Sequence, residues 1–248
     1  MNPSTQMAEA HPQAHPPSRL VVDRPPPHAA AALAAAWTGF LAGLLVTPGE
    51  VTDAASLSIA AVAGAVLVVV GFAAASRCRP LPRRGAPERL RLLLLAVGVG
   101  AVAGAGNLAA NAGLASLDPA IRAVLVERFA SIDPVTAIVG APLVEEVVLR
   151  LFVMSGIAWI VARFTSRGST VFAVAALVSA VAFALLHLDR AFPLDPAVAR
   201  LYAGGLVLKY TLAGLVQAWA FWRWGLPYAI VAHAAVNATH RLLEPLAF

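Results

Sequence analysis

Ala141-Pro-Leu-Val-Glu-Glu-Val-Val-Leu-Arg150 sets two adjacent carboxylates and an arginine inside a run that is otherwise apolar from Pro134 to Ala162. A helix needs about 20 residues to span a bilayer, so this run is long enough. Each charge near mid-membrane costs roughly 2.5–3.5 kcal/mol on insertion scales, and three together need compensating partners. Glu146 and Arg150 are four residues apart, which puts them on one helix face where they can pair. Glu145 points about a third of a turn away and cannot use that arginine in the same way. One glutamate therefore reads as neutralised and structural, the other as available for chemistry.

The rest of the chain sets this stretch in a membrane. Of 248 residues, 60% are hydrophobic and 12% charged, against about a quarter charged in soluble domains. Together with successive apolar runs of spanning length, this gives the expected fold class: all-α, a polytopic transmembrane helical bundle of about seven spans. The net charge of +5 does not signify nucleic acid. The arginines sit in loops between apolar runs, as the positive-inside rule places them, and no basic face with interleaved aromatics accompanies them. One cysteine, Cys78, excludes an intrachain disulfide framework and reads as incidental.

Taken in order, residues 1–28 form a Pro-, His- and Ser-rich tail with too few large apolar residues to fold alone. Residues 29–132 hold the N-terminal spans, and 133–248 a catalytic core. The first span is expected at Ala29–Val46, retained rather than cleaved as a signal peptide. A second runs from Ala54 to Ala75 and a third from Leu92 to Leu114, where Asn107 and Asn111 read as interhelical glue. A basic loop from Arg77 to Arg91 separates these two. Ala120–Ile132 alternates apolar and charged residues at helical spacing and reads as a short interfacial helix before the catalytic span. The fourth span follows Asp133-Pro134, the fifth covers Thr170–Leu188, the sixth Ala197–Trp222, and the seventh Gly225 to about Leu243. With a cytoplasmic N-terminus, the loops at Arg77–Arg91 and Arg163–Arg167 face the cytoplasm. No internal repeat supports an inverted-repeat transporter. The expected location is an integral multi-pass position, in the cytoplasmic membrane for a bacterial chain, with the lipid bilayer as partner and no nucleic acid.

Three late spans carry polar signatures at one interval. Phe183 and His187 are four apart, as are His233 and Asn237, so each pair shares a helix face. With Glu145 and Glu146 these supply carboxylate, imidazole, imidazole and amide to one bundle. A carboxylate and a neighbouring imidazole can take a proton from water and return it to a leaving amine. An imidazole N–H and an amide N–H can donate to the oxyanion that forms as a carbonyl is attacked. Together these parts describe amide hydrolysis without a covalent intermediate. Each residue also has a structural reading. A lone intramembrane histidine is often a satisfied polar group, Phe183 suits core packing, and Arg150 serves as counter-ion to Glu146. His240 sits near a span end, and Lys209 has no evident partner in its own helix. Zinc held by Glu, His and His is the rival chemistry. However, the spacing has neither a His-Glu-x-x-His helix nor a cysteine cluster, so metal-independent chemistry is favoured and no cofactor is expected.

Glu145-Glu146-x-x-x-Arg150, Phe183-x-x-x-His187 and His233-x-x-x-Asn237 resemble, in order, the three motifs of the CPBP family of intramembrane proteases. That family includes type II CaaX prenyl endopeptidases and bacterial relatives associated with bacteriocin processing or self-immunity. The resemblance covers about Asp133 to Asn237. It implies a glutamate-type intramembrane endopeptidase in which Glu145 and His187 activate the attacking water. His233 and Asn237 would stabilise the oxyanion, and Glu146 and Arg150 would support the site. Relatives commonly carry Phe-Arg-Gly around the arginine where this chain has Leu149-Arg150-Leu151, a departure that bears on substrate preference. The implied substrate is a membrane protein or a lipidated or leader peptide. Two other classes stand beside this one: a membrane immunity factor that binds without cutting, and a proton-coupled transporter.

Overall fold

The structure, a computed structural model, describes residues 29–46, 54–78, 85–191 and 194–247. The expected tail at 1–28, the turn at 47–53 and the middle of the basic loop at 79–84 lie outside the described residues. Among the described residues the chain is all helix and turn, without a strand. Helices α1 (Ala29–Val46), α2 (Ala54–Cys78) and α3 (Ala86–Leu117) are followed by the short α4 (Pro119–Ser131). A nearly unbroken helical rod then runs through π-helical Thr136–Gly140, α5 (Ala141–Glu146), π-helical Val147–Met154 and α6 (Ser155–Val161). α7 (Gly168–Leu185), α8 (Pro196–Trp224) and α9 (Leu226–Leu243) complete the bundle.

Each of the seven expected apolar runs is helical. Among the described residues, three helical stretches are long and apolar enough to cross a membrane by composition and length alone: Ser58–Cys78, Ala86–Leu117 and Gly168–Ala191. The rod, α8 and α9 carry the polar residues of the core, which lowers their hydropathy. The outer surface is apolar, with Ile59, Leu94, Val102 and Leu208 largely exposed. That is the inverse of a water-soluble surface, and it is the pattern of a bundle solvated by lipid. The chain is a helical membrane protein.

The helix ends follow local rules. Asp118 caps α4 by accepting the Ala120 N–H at 2.7 Å, and Asp195 caps α8 by accepting that of Ala197 at 2.9 Å; a proline follows each cap. α8 and α9 are joined through Gly225 alone, whose φ of 106° lies where only glycine rests without strain. That one-residue turn fixes α9 against the end of α8.

Close packing then locates α9. Gly100 and Gly104 of α3 face the backbone carbonyls of Ala232 and Val236, and a Cβ at either glycine would strike them. Small residues four apart let two helices approach to backbone contact. They bring α3 against the turns of α9 that bear His233 and Asn237. Around this seam pack Met154, Ala158, Ala175, Ala218, Ala229 and Ala232. A second cluster of Ile121, Leu125, Leu149, Phe183, Tyr202 and Leu206 joins α4, the rod, α7 and α8. A third, with Phe40, Val68, Phe72, Val147 and Leu151, fastens α1 and α2 to the rod's other side.

Two expectations need correction. The fourth span is not uniformly α-helical but widens to π-helix on either side of α5. The fifth span does not reach Leu188: α7 ends at Leu185, and His187 lies in the tighter turn that leads to the 3-10 segment Leu188–Ala191.

Candidate active site

The rod's first widening starts from Asp133, whose carboxylate accepts the Thr136 N–H at 2.8 Å. Ala141 then donates its N–H to the Thr136 carbonyl, a step of five residues. In that register the partner for the Ala137 carbonyl would be residue 142, which is proline and has no N–H. Asn237 supplies the missing donor: its Nδ2 lies 2.7 Å from the Ala137 oxygen. The second widening is satisfied in the same manner. Ser179 donates its hydroxyl to the Leu149 carbonyl at 2.7 Å, and Ser155 to that of Arg150 at 3.2 Å. π-helical turns occur in single elements and often mark functional sites. Here they free carbonyls that neighbouring side chains then grip.

Glu146 and Arg150 are shut off from solvent. Glu146 Oε2 lies 3.4 Å from Arg150 Nε, so the i,i+4 pairing expected from spacing is present. The other Arg150 nitrogens donate to Ser179 Oγ at 2.6 Å and to Gln217 Oε1 at 3.1 Å. One guanidinium thus ties the rod to α7 and α8. Burying a charge without partners costs several kcal/mol per ion, and this one has a carboxylate, a hydroxyl and an amide around it. Glu146 Oε1 meets His233 Nδ1 at 2.9 Å. An ionised carboxylate only accepts, so Nδ1 carries the proton in that bond. The ring is thereby oriented with Nε2 3.6 Å from Glu145 Oε2.

Glu145, unlike its neighbour, keeps 27% of its side chain exposed. It lines a cavity of about 450 Å³ together with His187, His233 and Asn237. His187 Nδ1 lies 2.7 Å from the Phe183 carbonyl. A carbonyl cannot donate, so this bond puts the proton on Nδ1 and leaves Nε2 as the lone-pair nitrogen of the neutral ring. The His187 ring stacks on Tyr210 with centroids 4.1 Å apart, and Phe183 sets its edge or face against His187 at 4.7 Å, Tyr210 at 5.6 Å and His233 at 5.7 Å. Phe183 is the aromatic hub that spaces the two imidazoles.

The structure therefore brings four of the six sequence-selected residues to one cavity and sets the other two, Glu146 and Arg150, behind it. It differs from expectation over Asn237, one of whose two amide protons is already engaged by Ala137. Lys209 does have a partner. Its Nζ donates to Asn111 Oδ1 at 2.6 Å, and Asn111 Nδ2 donates to His240 Nε2 at 2.8 Å. His240 is buried and stacks on Phe129, so it is not the peripheral histidine that its place near a span end suggests. Ser179, Gln217 and Tyr210 escaped the sequence reading, although each is a polar side chain in an apolar run. Among the described residues, no three His, Cys, Asp or Glu side chains are grouped to hold a metal ion.

Residues 128–239 match the family model described as type II CAAX prenyl endopeptidase Rce1-like. No curated protein and no solved structure matches the chain. The matched segment contains all six motif residues. Over this segment the chain is similar to the type II CAAX prenyl endopeptidases, which are peptide hydrolases.

Proposed function

We propose that the chain is a glutamate-type intramembrane endopeptidase, sited as a multi-pass protein in a cell membrane. The observation that carries this is the convergence of Glu145, His187, His233 and Asn237, from the rod, the end of α7 and α9, on one cavity. Glu145, aided by His187 Nε2, takes a proton from water as the water oxygen adds to the scissile carbonyl carbon. The carbonyl oxygen becomes an oxyanion, stabilised by the free Asn237 amide proton and by His233, which donates from Nε2 as an imidazolium because its Nδ1 proton is committed to Glu146. The C–N bond then breaks, and the proton held by Glu145 passes to the leaving amine. Glu146 holds the His233 ring in place, and Arg150 holds Glu146. This division of labour explains why two adjacent glutamates sit at different depths.

The test compares native membranes expressing the wild-type chain with membranes expressing Glu145→Gln, by profiling released peptides and new protein termini. Termini present only with the wild type are expected, and they name the substrate. On that substrate, Glu145→Gln and His187→Ala should each lower turnover by about 10²–10⁴-fold, the usual contribution of acid–base groups. Identical profiles from a stably folded Glu145→Gln chain would sink the reading in favour of a binding partner that never cuts.

A further inference from the structure

Of the four side chains that meet at the cavity, His187 alone stands in a turn; Glu145, His233 and Asn237 are held by helices. Its backbone N–H reaches back three residues to the Ala184 carbonyl at 3.1 Å. Among the described residues its side chain makes one hydrogen bond, from Nδ1 to the Phe183 carbonyl. A ring tied at one atom can still swing about that bond, and the direction of Nε2 swings with it. What fixes its plane comes from another helix. Tyr210 of α8 lays its ring on the imidazole, with centroids 4.1 Å apart and planes inclined by 23°.

The packing of α7 on α8 explains why Tyr210 can reach this turn. Gly214, one helical turn after Tyr210, meets Ala180 so closely that a Cβ there would lie 2.9 Å from the Ala180 Cα. The two helices therefore run in near backbone contact. The Tyr210 ring is buried and is itself held from several sides. Phe183 meets it edge-on at 5.6 Å, Lys209 Nζ lies 4.3 Å from its centroid, and the Arg190 guanidinium lies 4.9 Å away. Lys209 is fixed in turn by its bond to Asn111 at 2.6 Å. All these contacts are made by the ring rather than the hydroxyl, so the tyrosine acts as a braced plate. We propose that Tyr210 is a positioning residue for the hydrolysis: its ring sets the plane of His187 and so holds the Nε2 lone pair in one direction within the cavity that Glu145 lines. The proposal rests on the protease reading and adds to it a residue that acts only through another.

The imidazole and the reaction are read separately, on the full chain in phosphatidylcholine nanodiscs. Histidine labelled at both ring nitrogens reports by NMR which nitrogen carries the proton, and His187→Gln identifies the His187 signal. Turnover is read on a peptide spanning the cleavage site found by terminal profiling. The wild type should show His187 as a single Nδ1–H tautomer. Tyr210→Leu should split or broaden that signal and lower kcat by about 10²-fold with KM little changed, the usual cost of misplacing a catalytic group by about 1 Å. Tyr210→Phe, which restores the ring, should recover both signal and turnover. Tyr210→Met, which refills the volume without a plane, serves in place of the leucine variant if that one does not fold. An unchanged His187 signal in the leucine or methionine variant overturns the proposal, whether or not turnover falls. So does a phenylalanine variant as slow as the leucine one. A chain whose His187 signal responds as expected, but which releases no new termini in any form, keeps Tyr210 as the brace of His187 and refutes the protease. One that cuts, and cuts as fast with leucine at this position, does the reverse.

Discussion

Arg150 concentrates more of the site's architecture than any residue that faces the cavity. Its guanidinium meets a carboxylate from its own rod, a hydroxyl from α7 and an amide from α8. Removing one partner of a buried charge pair costs about 3–5 kcal/mol, because the other is left uncompensated. Arg150→Ala should therefore lower stability by that amount, read as a loss of melting temperature in detergent, and should release His233 through Glu146. A melting temperature unchanged from the wild type would show that Arg150 does not brace the site. The pair itself was legible from spacing alone, since four residues in a helix make neighbours. Ser179 and Gln217 were not. A lone serine or glutamine in an apolar run announces that it needs a partner, but not which helix will supply one.

The two π-helical stretches are the element-scale feature that no motif announces. A helical periodicity of 3.6 in the fourth span is close enough to place Glu146 and Arg150 correctly. It does not show that Pro142, read in a five-residue register, leaves the Ala137 carbonyl open for Asn237. Pro142→Ala returns an N–H to that turn, where it competes for the carbonyl and frees the Asn237 amide to move. Misplacing a catalytic group by about 1 Å costs about 10²-fold, so activity should fall to that extent while the melting temperature holds or rises. Activity retained in full would show that Ala137 does not position Asn237. His187 gives a similar lesson. Its spacing from Phe183 is helical, and the contact is kept, yet the residue sits in a turn beyond α7 where the backbone tightens.

For the whole molecule, the sequence carries the helix order and the apolar surface, because both depend on run length and composition. It says little about which helices meet. That is decided by features such as Gly100 and Gly104, whose use shows only once Ala232 and Val236 lie against them. Orientation follows from counting crossings. On the proposed seven-span arrangement, α3 and the rod make two crossings between Arg77 and Thr165, and α7, α8 and α9 make three between Thr165 and Pro245. In a Cys78→Ser background, Arg77→Cys and Thr165→Cys should therefore react with an impermeant maleimide from one side of sealed vesicles, and Pro245→Cys from the other. Labelling of all three from the same side would refute the seven-span arrangement.

The dispersal of Arg150's partners has a consequence for timing. Translation makes the rod before α7, and α7 before α8, so the arginine emerges ahead of Ser179 and Gln217. His233 and Asn237 come later still, on the final long helix. Until that helix docks, Glu145 lacks the His233 imidazole and Glu146 has nothing to orient. On the proposed mechanism the chain is therefore inert throughout its own synthesis, and it gains its chemistry when the last segment closes the bundle. On that reading the insertion machinery never meets a half-made active site, because completion of the fold is itself the activating event.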